Sequence, residues 1–245
     1  MLTVEQQGPI LHLTLNRPEK RNALNLSLCR ELVRAFHEAD TTASVTTILI
    51  SASGPAFCAG MDLSEAPEAD RTELDGLHEQ LFTSGYRLRK PIIAAVQGAA
   101  LAGGTGLVAN AHIVICSEDA FFGLTEIRIG LWPILIFRAV KAAIGERRAT
   151  ELSLTGRRFA APEALAYGLV HQIHPDPLTR AREIATQISE FSPDAVQLGL
   201  DYVNQTRDKS WEESGRIGST IRQTLLASPG FKEGVGRVLR GPGKP

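Results

Sequence analysis

No surplus of charge of either sign marks this chain. Its 26 Lys and Arg stand against 27 Asp and Glu, for a net charge of -1. Nucleic acid, or an anionic lipid surface, therefore has no basic field to meet. An anionic ligand must be held by a few local cations and by backbone amides. Cysteine is scarce too. Cys29, Cys58 and Cys116 are odd in number and scattered, which argues against a disulfide framework and fits a reducing cytoplasm. No run of about 18 apolar residues occurs, and the opening MLTVEQQGPILHLTLN carries no basic stretch ahead of an apolar one. A soluble, cytoplasmic protein with no membrane partner is expected. G-x-S-x-G and G-x-x-x-x-G-K-[ST] are both missing, so neither a serine-hydrolase elbow nor a P-loop is available. Low-complexity tracts and close internal repeats are also lacking.

What is present reads as mainly parallel α/β structure. The 245 residues, 43% apolar and 22% charged, suffice for one large domain with an appendage. Strands are predicted at the N-terminus, ending in residues 10–15, and at 46–50, 92–96, 112–116 and 169–173. Helices are predicted at 26–39, 71–89, 134–144 and 147–154. Most of the strands are apolar on both faces, as in a covered parallel sheet. From Asp176 onward strand signals stop. Ser192-Pro193-Asp194 is a helix start, with Ser as N-cap and Pro at the first position, and Ser228-Pro229 opens another helix. The expected division is a core at 1–190 and a helical region at 191–245. Residues 241–245 read as a flexible tail.

One stretch has almost no side chains to offer. QGAALAGGTGLVAN, residues 97–110, is uncharged and places three glycines within four residues. A tight turn explains it most simply. Gly104-x-Gly106-x-x-Ala109 also fits a dinucleotide fingerprint, but residues 98–102 separate it from the preceding strand and the helix that follows is too short. A third reading uses the backbone. Glycines opening a helix expose N–H groups that a ligand oxygen can approach closely, which makes half of an oxyanion hole. A second small-residue turn, Gly54 to Leu63 (GPAFCAGMDL), offers the other half.

Few side chains compete for chemistry. Cys58 lies in that turn with no histidine near it in sequence, so packing is its expected role. His78, His112 and His171 have no metal-like spacing, and structural roles are expected for all three. Glu126, taken alone, reads as one half of a surface ion pair with Arg128.

The motifs in order change that reading. Asn16-Arg17-Pro18-Glu19-Lys20-Arg21-Asn22-Ala23-Leu24, Ala56-Phe57-Cys58-Ala59-Gly60-Met61-Asp62-Leu63, the run from Ile92 to Gly106, and Phe122-Gly123-Leu124-Thr125-Glu126 together resemble the enoyl-CoA hydratase/isomerase (crotonase) superfamily. Leu154-Thr155-Gly156-Arg157 and Ser228-Pro229-Gly230-Phe231-Lys232-Glu233-Gly234 match later landmarks, so the resemblance is collinear over nearly the whole chain.

The resemblance implies a ClpP-like spiral of strand–strand–helix (ββα) units, then a C-terminal helical region that builds trimers or dimers of trimers. It implies acyl-CoA or enoyl-CoA substrates, with coenzyme A as part of the substrate and no separate cofactor or metal. It assigns the oxyanion amides to Met61 and Gly103 and the base to Glu126. CoA would run along Ala59, Gly60, Met61, Asp62, Leu63, Gly103 and Gly104, with Arg21, Asn22 and Ala23 on the outer side. The sequence departs from the two-glutamate hydratase pattern twice. Gly106 stands where the first glutamate is usual, and Ile134 where a glycine follows Pro133. Both departures suit a single base that moves a proton between two carbons, so double-bond isomerisation is expected over hydration. A one-glutamate hydratase, and a CoA- or partner-binding protein without catalysis, are the alternatives.

Overall fold

The computed structural model describes residues 1–64 and 71–240. The expected tail at 241–245 lies outside the described residues. In chain order the strands are β1 (Leu2–Gln7), β2 (Ile10–Leu15), β3 (Thr47–Ala52), β4 (Ala56–Cys58), β5 (Ile92–Val96), β6 (Ala99–Leu101), β7 (Ile113–Cys116), β8 (Phe121–Gly123), β9 (Arg158–Ala160) and β10 (Gln172–Ile173). The helices are α1 (Leu26–Thr41), α2 (Arg71–Leu81), α3 (Ser84–Arg87), α4 (Gly103–Ala109), α5 (Ile134–Ile144), α6 (Glu146–Thr155) and α7 (Ala161–Tyr167). Four more follow: α8 (Pro177–Ser189), α9 (Pro193–Thr206), α10 (Trp211–Ala227) and α11 (Pro229–Arg240).

Two sheets share the chain. One runs β1-β2-β3-β5-β7-β10 and is parallel except for the β1–β2 hairpin. The other runs β4-β6-β8-β9, with only β8–β9 antiparallel. The pairs β3–β4, β5–β6 and β7–β8 each give one strand to each sheet before the chain passes into helix. This is the repeated strand–strand–helix unit.

The large sheet is covered on both sides, and residue alternation decides which side each residue serves. Leu49, Ile93, Ala95 and Ile115 pack against Ala181, Ile184 and Ala185 of α8. Their neighbours Ile48, Ile50, Ala94 and Val114 point the other way, into the main core. Every residue of β5 is buried, which is why it reads as an unbroken apolar run.

Two expectations need adjusting. The charge-rich stretch 71–89 is not one helix, since α2 ends at Leu81 and the four-residue α3 follows. The strands of the second sheet, three residues each, were not expected, and β4 and β6 lie in the two stretches read as turns. The helical C-terminal region is present. Ser192 caps α9 by accepting from the Ala195 N–H, and Ser210 with Glu213 forms a capping box on α10. None of α9, α10 and α11 contains a fully buried residue.

Candidate active site

Strands β4 and β6 run side by side, so the turns that leave them meet. The turn after β4 reaches Gly60 at a φ of 96°, a conformation that favours glycine. A Cβ on Gly60 would stand 2.9 Å from Ala102 Cβ and 3.5 Å from the Gly103 nitrogen. Close contact therefore demands a bare Gly60, and it sets Met61 beside the start of α4. Ala102 adopts φ 50°, ψ -119° just before that helix, a strained backbone for a residue with a side chain. Among the described residues no backbone acceptor takes the Met61 or the Gly103 N–H.

The Asn16–Leu24 motif braces this turn. Leu24 N–H donates to the Gly60 carbonyl at 2.7 Å, Asp62 N–H to the Leu24 carbonyl at 2.9 Å, and Ala59 N–H to the Arg21 carbonyl at 3.0 Å. The buried Arg17 guanidinium donates to Asp62 at 3.0 Å and to the Ala23 carbonyl at 2.6 Å. Burial pushes the Asp62 carboxyl up, but hydrogen bonds from Ser64 and Arg17 outweigh it and hold the carboxyl below its usual range. Asn22 is buried; its amide donates to the Ser53 and Ala56 carbonyls at 2.9 and 2.8 Å, and its oxygen accepts from Arg17 N–H at 2.7 Å. Asn22 and Asp62, expected along the CoA path, thus turn inward and shape the turn instead. Arg21 is exposed on the outer side.

A cavity of about 520 Å³ opens in front of the two turns. Ala59, Met61, Leu63, Gly103 and Glu126 all line it, whereas Gly60, Asp62 and Gly104 do not. Glu126 opens the short 3-10 turn Glu126–Ile129 that follows β8. Burial pushes its carboxyl up to about 7. Its Oε2 is buried with no hydrogen-bond partner among the described residues. The expected pairing with Arg128 is not made, because Arg128 donates to the Gly156 carbonyl at 2.8 Å.

The other glycines serve close packing. A Cβ at Gly104 would meet the Cys58 carbonyl oxygen at 2.2 Å, so Gly104 supports the β4–α4 contact. A Cβ at Gly106 would meet Ile136 Cγ2 at 2.3 Å. The place where hydratases of the resembled family put a first glutamate is filled here by Ile136. Ile134, expected to crowd the reacting carbons, is 70% exposed and lines the cavity from the first turn of α5. The crowding residue lies two positions further on.

Cys58 is buried, and its thiol is pushed up to about 12, so it supplies no thiolate. His112 and His171 have structural roles: their Nδ1 atoms accept from the Ile92 and Val114 N–H groups at 2.9 and 3.1 Å. His78 behaves differently. It lines the cavity, it is 6% exposed, and its Nε2, like that of His112, has no partner among the described residues. Metal-like spacing was the wrong test for it. No spacing in the sequence marks it: only the fold brings Phe82, one helical turn further on, against Gly103 and so sets His78 in this wall.

A family model described as enoyl-CoA hydratase/isomerase matches residues 5–239. The chain belongs to the enoyl-CoA hydratase/isomerase family. Within that family it is 38% identical to the mevalonyl-coenzyme A hydratase sidH of Aspergillus fumigatus, over 92% of this chain and 87% of the relative. It is 34% identical to the mitochondrial Delta(3,5)-Delta(2,4)-dienoyl-CoA isomerase of Rattus norvegicus, over 90% of this chain and 73% of the relative. An enoyl-CoA hydratase crystal structure from Mycobacterium smegmatis superposes with a TM-score of 0.92 at 30% identity, covering 98% of this chain and 96% of that one. The architecture is the crotonase fold of the enoyl-CoA hydratase/isomerase family.

Proposed function

We propose that this protein moves a double bond along an acyl-CoA thioester, with Glu126 as its single carboxylate base. The observation that carries this reading is the cavity itself. Glu126, whose Oε2 is buried with no hydrogen-bond partner among the described residues, lines it together with Met61 and Gly103, and Ile136 fills the place of a second carboxylate. Relatives in the family bear both hydratase and isomerase names, so the family alone does not choose between them.

The chemistry follows from where charge develops. The α-proton of a thioester is a weak acid, and its removal throws an electron pair onto the carbonyl oxygen. Two fixed N–H donors stabilise that oxygen more as an enolate than as a neutral carbonyl; losing one such donor costs about 3–4 kcal/mol of barrier. Ionised Glu126 takes the α-proton of a 3-enoyl thioester, the Met61 and Gly103 amides hold the dienolate, and protonated Glu126 returns the proton to the γ-carbon. The product is the 2-enoyl thioester, and Glu126 is regenerated. A carboxyl raised to about 7 suits both halves, since it gives and takes a proton near neutral pH. To the CoA portion we assign Ala59 and Leu63, which line the cavity, with Arg21 and Ala23 outside it. The scheme needs no further cofactor. Homotrimers, single or paired, are the assembly we assign.

Proton NMR in deuterated water on a 3-enoyl-CoA and a 2-enoyl-CoA tests the reading. Faster transfer of the 3-enoyl double bond than addition of water is the expected result. Rapid 3-hydroxyacyl-CoA formation with no double-bond shift would leave a one-glutamate hydratase.

A further inference from the structure

The acyl cavity contains a polar group that the proposed proton transfer does not use. His78 sits on α2 with its ring 5.4 Å from that of Phe82, and Phe82 Cζ stands 3.2 Å from where a Cβ on Gly103 would lie. His78 and Gly103 both line this cavity. Around it the walls are largely apolar, with Phe82, Ile129, Leu131, Trp132 and Ile136 among them. A polar nitrogen on a side chain more than nine-tenths buried in such a wall, with no partner among the described residues, is costly to retain unless something bonds to it.

We propose that His78 Nε2 recognises a hydroxyl group on the acyl chain of the substrate, so that the preferred thioesters are hydroxylated and not plain hydrocarbon chains. This deepens the reading of the cavity as an acyl-CoA site and rests on it. The choice of a hydroxyl follows from the state of the ring. Burial lowers the His78 pKa from 6.5, while Asp75 opposes this, so the imidazole is neutral at neutral pH. Neutral Nε2 is a donor in one tautomer and an acceptor in the other. A hydroxyl answers both, whereas a carbonyl answers only the donor. A carboxylate on the chain would meet a neutral ring and the negative charge of Asp75, which also lines the cavity.

Pairs of enoyl-CoA esters with equal carbon number test this, one plain and one hydroxylated at a single chain carbon, with the hydroxyl moved along the chain across the panel. Wild type should favour at least one hydroxylated ester by about tenfold or more in kcat/KM, since one hydrogen bond to a buried group is worth about that factor. In His78→Leu the two members of that pair should become equal to within about threefold, and His78→Gln, which keeps a hydrogen-bonding end, should retain part of the preference. The wild-type comparison stands even if the Leu variant folds poorly. No hydroxyl preference in wild type overturns the proposal, and so does an equal loss on both esters in the variants, which would make His78 a packing or proton-handling group. If neither ester is turned over, calorimetry with the same pairs separates the two readings. A hydroxyl preference in binding that His78→Leu abolishes sustains this inference although the catalytic one has failed, and absence of any thioester binding overturns both.

Discussion

Glu126 is held in a way that costs stability and suits function. Its carboxyl is raised from 4.5 to about 7 by burial, so the folded chain keeps a proton that the unfolded chain has released over that window. Stability therefore falls as pH rises from about 4.5 to about 7, and the loss persists above. Glu126→Gln carries no such charge. It should be more stable than wild type at pH 8 by about 1–3 kcal/mol, with the gap closing near pH 4. Denaturant melts at the two pH values measure this, and an equal gap at both would refute the burial argument. The same substitution should lower turnover by at least about a hundredfold, as loss of a general base commonly does. In wild type, kcat/KM for isomerisation should rise with pH and level off above about 7, because only ionised Glu126 removes the α-proton. A profile flat across that range would assign the base elsewhere. Glu126 was legible in the sequence only through its motif, because a lone glutamate beside an arginine reads as a surface pair. His78 was not legible, since burial without a partner is a property of the folded wall and leaves no spacing behind.

At the scale of elements, the site depends on backbones that approach closely. The middle strands of the large sheet, β3, β5 and β7, were legible because they are buried on both faces and so read as apolar runs; β5 was placed to the residue. The second sheet was not, because its strands have only three residues, too short for an alternation to register. Yet β4 and β6 are the strands that bring Gly60 to Gly103. In the glycine-rich stretch the reason for a bare backbone differs at each position. Gly104 yields to the Cys58 carbonyl and Gly106 to Ile136, contacts between distant segments that only the fold reveals. Gly106 and Ile136 should therefore be coupled. Gly106→Ala overpacks the contact and should cost about 1–3 kcal/mol, and Ile136→Ala should cost about 2–5 kcal/mol through the cavity it leaves. The double variant should cost less than the sum by at least about 0.5 kcal/mol, because the new methyl occupies part of the space vacated. Urea unfolding of the three variants gives the coupling. Strict additivity would mean that Ile136 does not fill the space in front of Gly106.

For the whole molecule, the last three helices pose the open question, because they leave apolar surface without a partner in their own chain. On α11, Phe231, Val235, Val238 and Leu239 recur at helical spacing, and Val238 and Leu239 are 80% and 81% exposed. Phe191 and Trp211 add 56% and 89% exposure from the flanks of α9 and α10. Exposed apolar residues gathered along one helix in this way mark an interaction surface. Most soluble assemblies close on themselves with point-group symmetry, so a ring of identical subunits removes such a face without leaving an open end. Light scattering at micromolar concentration should give a mass three or six times the 26.5 kDa of one chain. Replacing Val238 and Leu239 together by Asp should shift the population toward single chains, because two carboxylates then have to be desolvated at the contact. Such a variant should keep its circular-dichroism spectrum, since neither side chain is buried within its own subunit. A wild-type protein that scatters as a monomer would show that the face serves some purpose other than self-assembly, and a double variant that stays fully assembled would move the contact away from α11.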